Sequence, residues 1–329
     1  MGDVAARAGV SHQTVSRVLN GSTQVREATR ARVVAAMAEL DYRPNLAART
    51  LVTGRSHTIG VVSFDTTLYG PASTLFGVER AAHEAGYFIT VASLAALERA
   101  SIADAVERLR LQGVEGILVI TNQHAGATGI EALDSEVPLV AVEGGAPGAI
   151  PFVGLDNRTG AEIATRHLLG LGHTDVRHIA GPRDWPEAEQ RAEGWRAALA
   201  AAGRTPSTML VGDWSPASGH RLGRELAEDP ALTAVFVAND QMALGLIRAL
   251  HEAGRAVPRD VSVVGFDDIP EAEYFIPPLT TIRQDFQAIG RSSLGLLLDT
   301  MATGPGDRAR HITVEPSFVL RRSTARAIS

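Results

Sequence analysis

Cysteine is absent from this chain of 329 residues, which excludes disulfides and thiolate metal sites. Lysine is absent too, all 31 basic residues being Arg, a bias of codon usage that carries little mechanism. No apolar run approaches the roughly eighteen residues a membrane helix needs, and the N-terminus has no apolar signal region. A soluble cytoplasmic protein without membrane contact is expected. The ten His show no metal-ligand spacing. Their densest group, His167, His173 and His178, falls near a helix end, a Gly-rich turn and a strand, where surface or capping roles are expected. Catalytic signatures are also missing: there is no GxxxxGK[ST] loop, no GxGxxG after a strand and no Ser/His/Asp set in a motif context, and Gly126-Ala-Thr-Gly129 is too sparse to cradle a phosphate. Neither an enzyme nor a metal- or cofactor-bearing protein is expected.

What is present is ordinary globular protein, 45% hydrophobic and 21% charged, long enough for two domains plus a small one. Its charge is unevenly spread. Residues 1–56 carry eight Arg against four acids, a net of about +4, although the whole chain stands at -6. A basic arm on an acidic body suits phosphate binding, because each contact releases counterions from a duplex.

Within that arm, Val4 to Gly21 reads as two short helices joined by a tight turn at Gly9 and Val10. Ser11 is an N-cap candidate for the second helix, predicted over about 12–20, and Gly21 stands where a left-handed C-cap would. Val15, Val18 and Leu19 share one face, to pack on Val4, Ala5 and Ala8. The other face presents Ser11, His12, Gln13, Ser16, Arg17 and Asn20, with Thr14 a further DNA-contact candidate beside them. Gln pairs with adenine edges and Arg with guanine edges, so this is the make-up of a recognition helix in a major groove. A solvated surface hairpin has the same pattern; the local positive charge favours DNA. A third helix is predicted over about 27–40, with Val33, Met37 and Leu40 covering the first two. Beyond Pro44, Asn45 can cap a segment of barely two turns, 46–51, too short to be stable unless something holds it.

From Ile59 onward, apolar runs alternate with helical stretches, the pattern of parallel sheets covered on both faces. The runs are 59–64, 88–92, 116–120, 139–142, 176–180, 209–211, 234–238, 261–266, 279–282 and 312–314. About ten parallel strands exceed one comfortable sheet, so two are expected. The break falls near Leu155 and Asp156, with a return crossing at 283–285 and a last strand, 318–320, crossing again. Such a body closes on a ligand held between the carboxyl ends of both sheets. Residues directly after strands should face that cleft: Leu68, Tyr69, Glu143, Trp214, Asn239, Asp240, Asp267, Asp268 and Gln284 to Phe286, with Arg191 in or at the start of the helix after Ala180-Gly-Pro182. Singly, each has a helix-capping or packing explanation. Together they make a carboxylate, amide, Arg and aromatic set able to pair sugar hydroxyls and stack on a pyranose.

The stretches DVAARAGVSHQTVSRVLNG and YRPNLAARTLVTGRSHTIGVV, with LYGPA, GDWS, VANDQMALG, VVGFDD and IPPLTTIRQDF further on, resemble the LacI/GalR family of bacterial transcription regulators over nearly the whole chain. The resemblance implies an α/β protein: a three-helix helix-turn-helix headpiece (1–44), a hinge helix and linker (45–56), and a two-lobed body like the periplasmic sugar-binding proteins (57–329; lobe one 57–155 and 285–315, lobe two 156–284 and 316–329). It implies that His12, Gln13 and Arg17 read base edges, and that paired hinge helices enter the minor groove. There Leu51 would wedge between bases, with Ala48 beside it. Arg191, Asn239 and Asp267 would bind sugar hydroxyls, Trp214 and Phe286 would pack against the ring or its aglycone, and Gln284 would sit at the lobe boundary. The chain departs from the pattern at Glu143, where a shorter Asp is expected, at Ile120 for Asn, and at Glu187 for Ser. Asp3 is left as the cap of the first helix, and Arg26 stands where a capping Ser is common.

The expected protein is a homodimer on a palindromic double-stranded operator, since one recognition helix reads too few base pairs, and no Leu heptads near the C-terminal end suggest a tetramer. Its expected effector is a small, galactoside-like saccharide acting as inducer, with a purine-responsive corepressed regulator of the same fold as the alternative.

Overall fold

In the computed structural model, Gly9 takes a left-handed backbone (φ 63°, ψ 40°) and ends helix α1, Gly2–Ala8, its N–H reaching back to the Ala5 and Ala6 carbonyls. The turn leads into α2, His12–Leu19, capped by Ser11, whose hydroxyl accepts from the Thr14 amide at 3.2 Å. A third helix, α3, spans Glu27–Glu39. Val4, Ala5, Ala8, Val15, Val18, Val33 and Ala36 form their shared core. The structure describes residues 1–19, 22–42, 54–64, 66–94, 98–120, 135–143, 150–304 and 310–327. Asn20, Gly21, Asn45, Ala48 and Leu51 lie outside the described residues. Two expectations are corrected. Leu40 does not cover the core: α3 has ended and Leu40 is 44% exposed, Ala36 taking that position instead. Asp3 is not a cap either; Met1 holds the cap position, and Asp3 sits in the first turn, where an acidic charge favours the helix N-terminus.

The chain divides into two compact units, Met1–Ser56 and His57–Ser329. The second holds two parallel sheets. One contains β1 (Thr58–Phe64), β2 (Phe88–Leu94), β3 (Gly116–Ile120), β4 (Leu139–Val142), β5 (Phe152–Leu155) and β11 (His311–Val314), in the order β11-β5-β4-β3-β1-β2. The other contains β6 (Arg177–Ala180), β7 (Leu210–Val211), β8 (Ala234–Val237) and β9 (Ser262–Val264), in the order β7-β6-β8-β9. β3, β4 and β8 are buried along their whole length, as strands covered on both faces must be, whereas β2 is an edge strand with Phe88 exposed.

Two features of the strand reading are corrected. β5 was not among the expected strands because its four residues lie between Pro151 and the capping Asp156. β10 (Thr281–Arg283) and Thr280 before it meet the parallel set only through isolated parallel bridges, Val264 with Thr280 and Asp267 with Arg283, while β10 itself pairs antiparallel with β12 (Ser317–Val319) where the chain crosses between sheets.

The helices of this unit are α4 (Tyr69–Glu84), α5 (Arg99–Leu111), α6 (Asn157–Gly170), α7 (Pro186–Ala201), α8 (Pro216–Ala227), α9 (Asp240–Glu252) and α10 (Phe286–Thr303). Four begin with capping side chains just past a strand: Asp156, Ser215, Asn239 and Asp285 accept from the Thr159, Ser218, Met242 and Ala288 amides. This fixes the helix N-termini at the carboxyl edges of the sheets. Strand order reverses beside β1 in one sheet and beside β6 in the other, and such switch points open crevices.

His173 and His178 are not surface or capping residues. Both are buried: His173 bonds to Thr233, Ser262 and the Ala325 carbonyl, while His178 stacks on Phe236 at 4.7 Å and bonds its carbonyl. Burial lowers the pKa of His178 to about 3, so it remains neutral. Among the described residues no group of three His, Asp or Glu could hold a metal, and no helix is long and apolar enough to cross a membrane.

Candidate functional site

The headpiece offers one polar helix face. His12, Gln13 and Arg17 are exposed along α2, whereas Thr14 and Ser16 are half-buried. The Ser11 hydroxyl lies 2.9 Å from that of Thr14 as well as capping the helix, so this pair fixes the helix start. The three long side chains are left to reach outward.

The second site is a cavity of about 280 Å³ in the body. Leu68, Glu143, Arg191, Trp214, Asn239, Asp267, Gln284 and Phe286 all line it. Leu68 and Tyr69 arrive from the end of β1, Glu143 from β4, Arg191 from α7, and Trp214, Asn239 and Asp267 from the ends of β7, β8 and β9. Gln284 and Phe286 come from the crossing into α10. Glu143, Trp214 and Asp267 have positive φ, of 58°, 70° and 108°. Such backbone costs about 1–3 kcal/mol per residue and clusters where a side chain must be aimed. Gly181 contributes by omission, since a Cβ there would overlap the Trp214 indole.

Arg191 is the hub. Its Nε donates to Asn157 Oδ1 at 2.8 Å, its Nη1 to the Ala238 carbonyl, and its Nη2 lies 3.5 Å from Asp267. The guanidinium also lies over the Phe266 ring at 4.0 Å and near the Trp214 ring at 5.5 Å. Burial pulls its pKa below the usual value, opposed by Asp267, Glu187 and Glu143 in turn. Asp267 is pushed up to about 6 by burial, against the pull of Arg191 and the Gln284 hydrogen bond. Asp240 is also raised well above the usual carboxylate value by burial, but its oxygens accept from the Thr281 hydroxyl at 2.6 Å and the Ile269 amide at 2.9 Å, a structural duty.

Asn239 is also largely engaged within the protein. Its oxygen caps α9 at 2.9 Å and its amide donates to the Trp214 carbonyl at 3.0 Å, which sets the Trp214 backbone. Two other buried groups, Trp214 Nε1 and Gln284 Oε1, have no hydrogen-bond partner among the described residues. Both belong to the cavity lining.

Sequence reasoning did not single out Trp185, Gln241 or Asn157. Trp185 meets Trp214 edge-on at 5.6 Å and 71°, making an aromatic corner. It stands directly before Pro186 at the start of α7, so the rule that chain following a strand faces the cleft would have found it. Ile120 points into the core of the first sheet and does not line the cavity, whereas Glu187 does line it.

A basic helix-turn-helix unit carried by a doubly wound body with a polar, aromatic cavity defines a ligand-responsive DNA-binding regulator. The profile described as "Bacterial regulatory proteins, lacI family" matches residues 1–45, and "Periplasmic binding protein-like domain" matches 165–324. The chain is 35% identical to the lactose operon repressor of Escherichia coli (strain K12) over 326 residues, covering 98% of this chain and 89% of that protein. It is 38% identical to the HTH-type transcriptional regulator CelR of Thermobifida fusca over 334 residues, 97% and 96% of the two chains. A crystal structure of the Lac repressor dimer bound to operator and the anti-inducer ONPF superposes with a TM-score of 0.87, at 35% identity and 98% coverage of both chains. The chain belongs to the LacI family of bacterial transcription regulators. It is a DNA-binding regulator and not an enzyme, as are these relatives.

Proposed function

We propose that this regulator is a cytoplasmic repressor that binds a palindromic operator as a homodimer and is released when a small, galactoside-like saccharide occupies the body's cavity. In this reading residues 1–44 are the DNA-binding headpiece and 45–56 the hinge. One lobe comprises 57–155 with 285–315, the other 156–284 with 316–329. His12, Gln13 and Arg17 read base edges, with Ser11, Thr14, Ser16 and Asn20 supporting them, while Asn45, Ala48 and Leu51 serve the hinge. Ligand that closes the lobes shifts the dimer so that the hinges no longer pair, which requires differential affinity for two states, typically about 1–3 kcal/mol of coupling.

The observation that carries the saccharide is the aromatic corner of Trp185 and Trp214 beside the unpartnered Trp214 Nε1 and Gln284 Oε1. A pyranose has an apolar face for the rings and hydroxyls that both donate and accept, so it answers all of these groups at once. Relatives support the class: the solved CelR complex contains cellobiose, and another relative is the ribose operon repressor. A thermal-shift screen of monosaccharides, disaccharides and purines, followed by a gel shift with each hit, tests the proposal. A saccharide that stabilises the protein and weakens operator binding is expected. Stabilisation by a purine alone, with tighter DNA binding, would establish the corepressed alternative.

A further inference from the structure

The cavity has a neighbour. A wider space of about 830 Å³ opens beside it, and Tyr69, Asp267, Gln284 and Phe286 line both. Trp185 and Trp214, the aromatic corner, line the inner cavity only. The outer space is walled by Ser73, Asp285, Gln287, Glu315 and Ser317, side chains suited to contact with water. The four shared residues are therefore the boundary between a ring-lined inner cavity and a wet outer one.

Two contacts close that boundary. The Gln284 amide donates to Asp267 at 2.5 Å on one part of it. On the other, the Tyr69 ring meets Phe286 edge-on, with centroids 5.7 Å apart and planes at 82°. The Tyr69 hydroxyl is hydrogen-bonded with the side chain of Ser73, which lines the outer space alone. The ring is thus held at both ends, its apolar body on Phe286 and its polar tip on the wet side. The backbone places both rings: Tyr69 is the first residue of α4, and Phe286 the first of α10, behind the Asp285 cap. These two helices are packed backbone to backbone, since a Cβ at Gly77 would overlap the Phe286 carbonyl and one at Gly290 the Gly77 backbone. The posts of the boundary are rigid for that reason. What can move is the half-buried Tyr69 side chain, outward into the larger space.

Taking the inner cavity to be the saccharide effector site proposed above, we propose that Tyr69 sets the size of the effector: with Phe286 it closes the cavity on a single sugar ring and excludes disaccharides. At about 280 Å³ the inner cavity lies just below the roughly 300–1,000 Å³ of pockets that hold drug-sized ligands, which is room for one pyranose and not for two. The groups that answer a ring, the Trp185–Trp214 corner and Trp214 Nε1, are all on this side. A second ring directed into the outer space would push Tyr69 off Phe286 and break its bond with Ser73. The selection therefore works by a clash raised against the larger sugar, not by an added contact to the smaller one.

Isothermal titration of the full-length protein with galactose and glucose, set beside lactose, melibiose and cellobiose, tests this. The tighter-binding monosaccharide should exceed every disaccharide that contains it by at least about tenfold, the scale on which a closed pocket rejects an added group. In Tyr69→Ala, where the two spaces join, that ratio should fall by about tenfold or more. Tyr69→Phe keeps a ring against Phe286 and should hold the ratio near that of wild type. Tyr69→Val is the second variant should the Ala form not fold, as judged by its circular dichroism melt. Three results would overturn the inference while leaving the saccharide reading intact: a disaccharide that binds wild type as tightly as its own ring, an unchanged ratio in the folded Ala or Val variant, or an equal fall in Tyr69→Phe. No binding of any saccharide would end both.

Discussion

The side-chain amide of Gln284 donates to Asp267 at 2.5 Å, joining the carboxyl end of β9 to the crossing that returns the chain to the first sheet. Asp267 thus touches the edge of the second lobe as proposed, where Gln284 stands, and it lines the cavity, so its protonation state bears on that site. Because its native pKa, about 6, lies above the unfolded value, the native state binds this proton more tightly. The sign follows: this group's contribution to stability is largest below the unfolded pKa of about 4 and falls as pH rises to about 6. Urea unfolding of wild type and Asp267→Asn across that window should therefore show the variant gaining on wild type with rising pH, by at most roughly 3 kcal/mol. A pH-independent difference would contradict this.

Gly181 is the one position where a methyl group tests the aromatic corner directly. An added Cβ would overlap the Trp214 ring, whose nearest freedom is toward the cavity. Gly181→Ala should cost about 1–3 kcal/mol of stability through overpacking and shrink the space for a ligand. Saccharide affinity, followed by tryptophan fluorescence, should drop by about tenfold or more, while operator binding without ligand is retained. Loss of operator binding in a folded variant would mean that the corner serves the fold and not the ligand.

Arg17 is exposed on α2, with its base-reading role resting on helix position and family membership. Arg17→Ala should weaken operator binding by about 1–3 kcal/mol and relax preference at one base pair. Gel shifts at fixed salt on operator and random duplexes separate the possibilities: equal loss on both assigns Arg17 to phosphate contact.

Much of this architecture was legible because parallel strands buried on both faces leave continuous apolar runs, and because Ser11 and Gly9 mark a helix-turn-helix by local chemistry alone. The misses have a common physical origin. β5 is four residues long, and the β10–β12 pairing is set by where the chain crosses between sheets, which local pattern does not encode. Leu40 fits the helical period, but α3 stops one residue before it. Asn239 and Asp267 look alike in sequence, each a polar residue just past a strand. Tertiary contacts distinguish them, since Asn239 spends its groups on a cap and on the Trp214 carbonyl, while Asp267 is held by Arg191 and Gln284 across elements distant in sequence.

Arg191 and Asp267 should behave as a coupled pair, and a double-mutant cycle measures the coupling. Arg191→Met leaves Asp267, the Asn157 oxygen and the Ala238 carbonyl without their cation, three groups from three separate parts of the second lobe as proposed. Breaking a buried pair from one side costs about 3–5 kcal/mol, because the remaining charge is stranded. Asp267→Asn alone removes the carboxylate but keeps an oxygen for Gln284, so it should cost less. Combined, the two changes should destabilise by less than the sum of the singles, with a coupling energy of about 0.5–3 kcal/mol from urea denaturation. Strict additivity would mean that the 3.5 Å separation between them carries no net interaction and that Arg191 is held by Asn157 and Ala238 alone. Arg191→Lys sharpens the test: an ammonium keeps the charge but cannot present the planar fork that reaches three acceptors, so it should recover only a minor part of the lost stability.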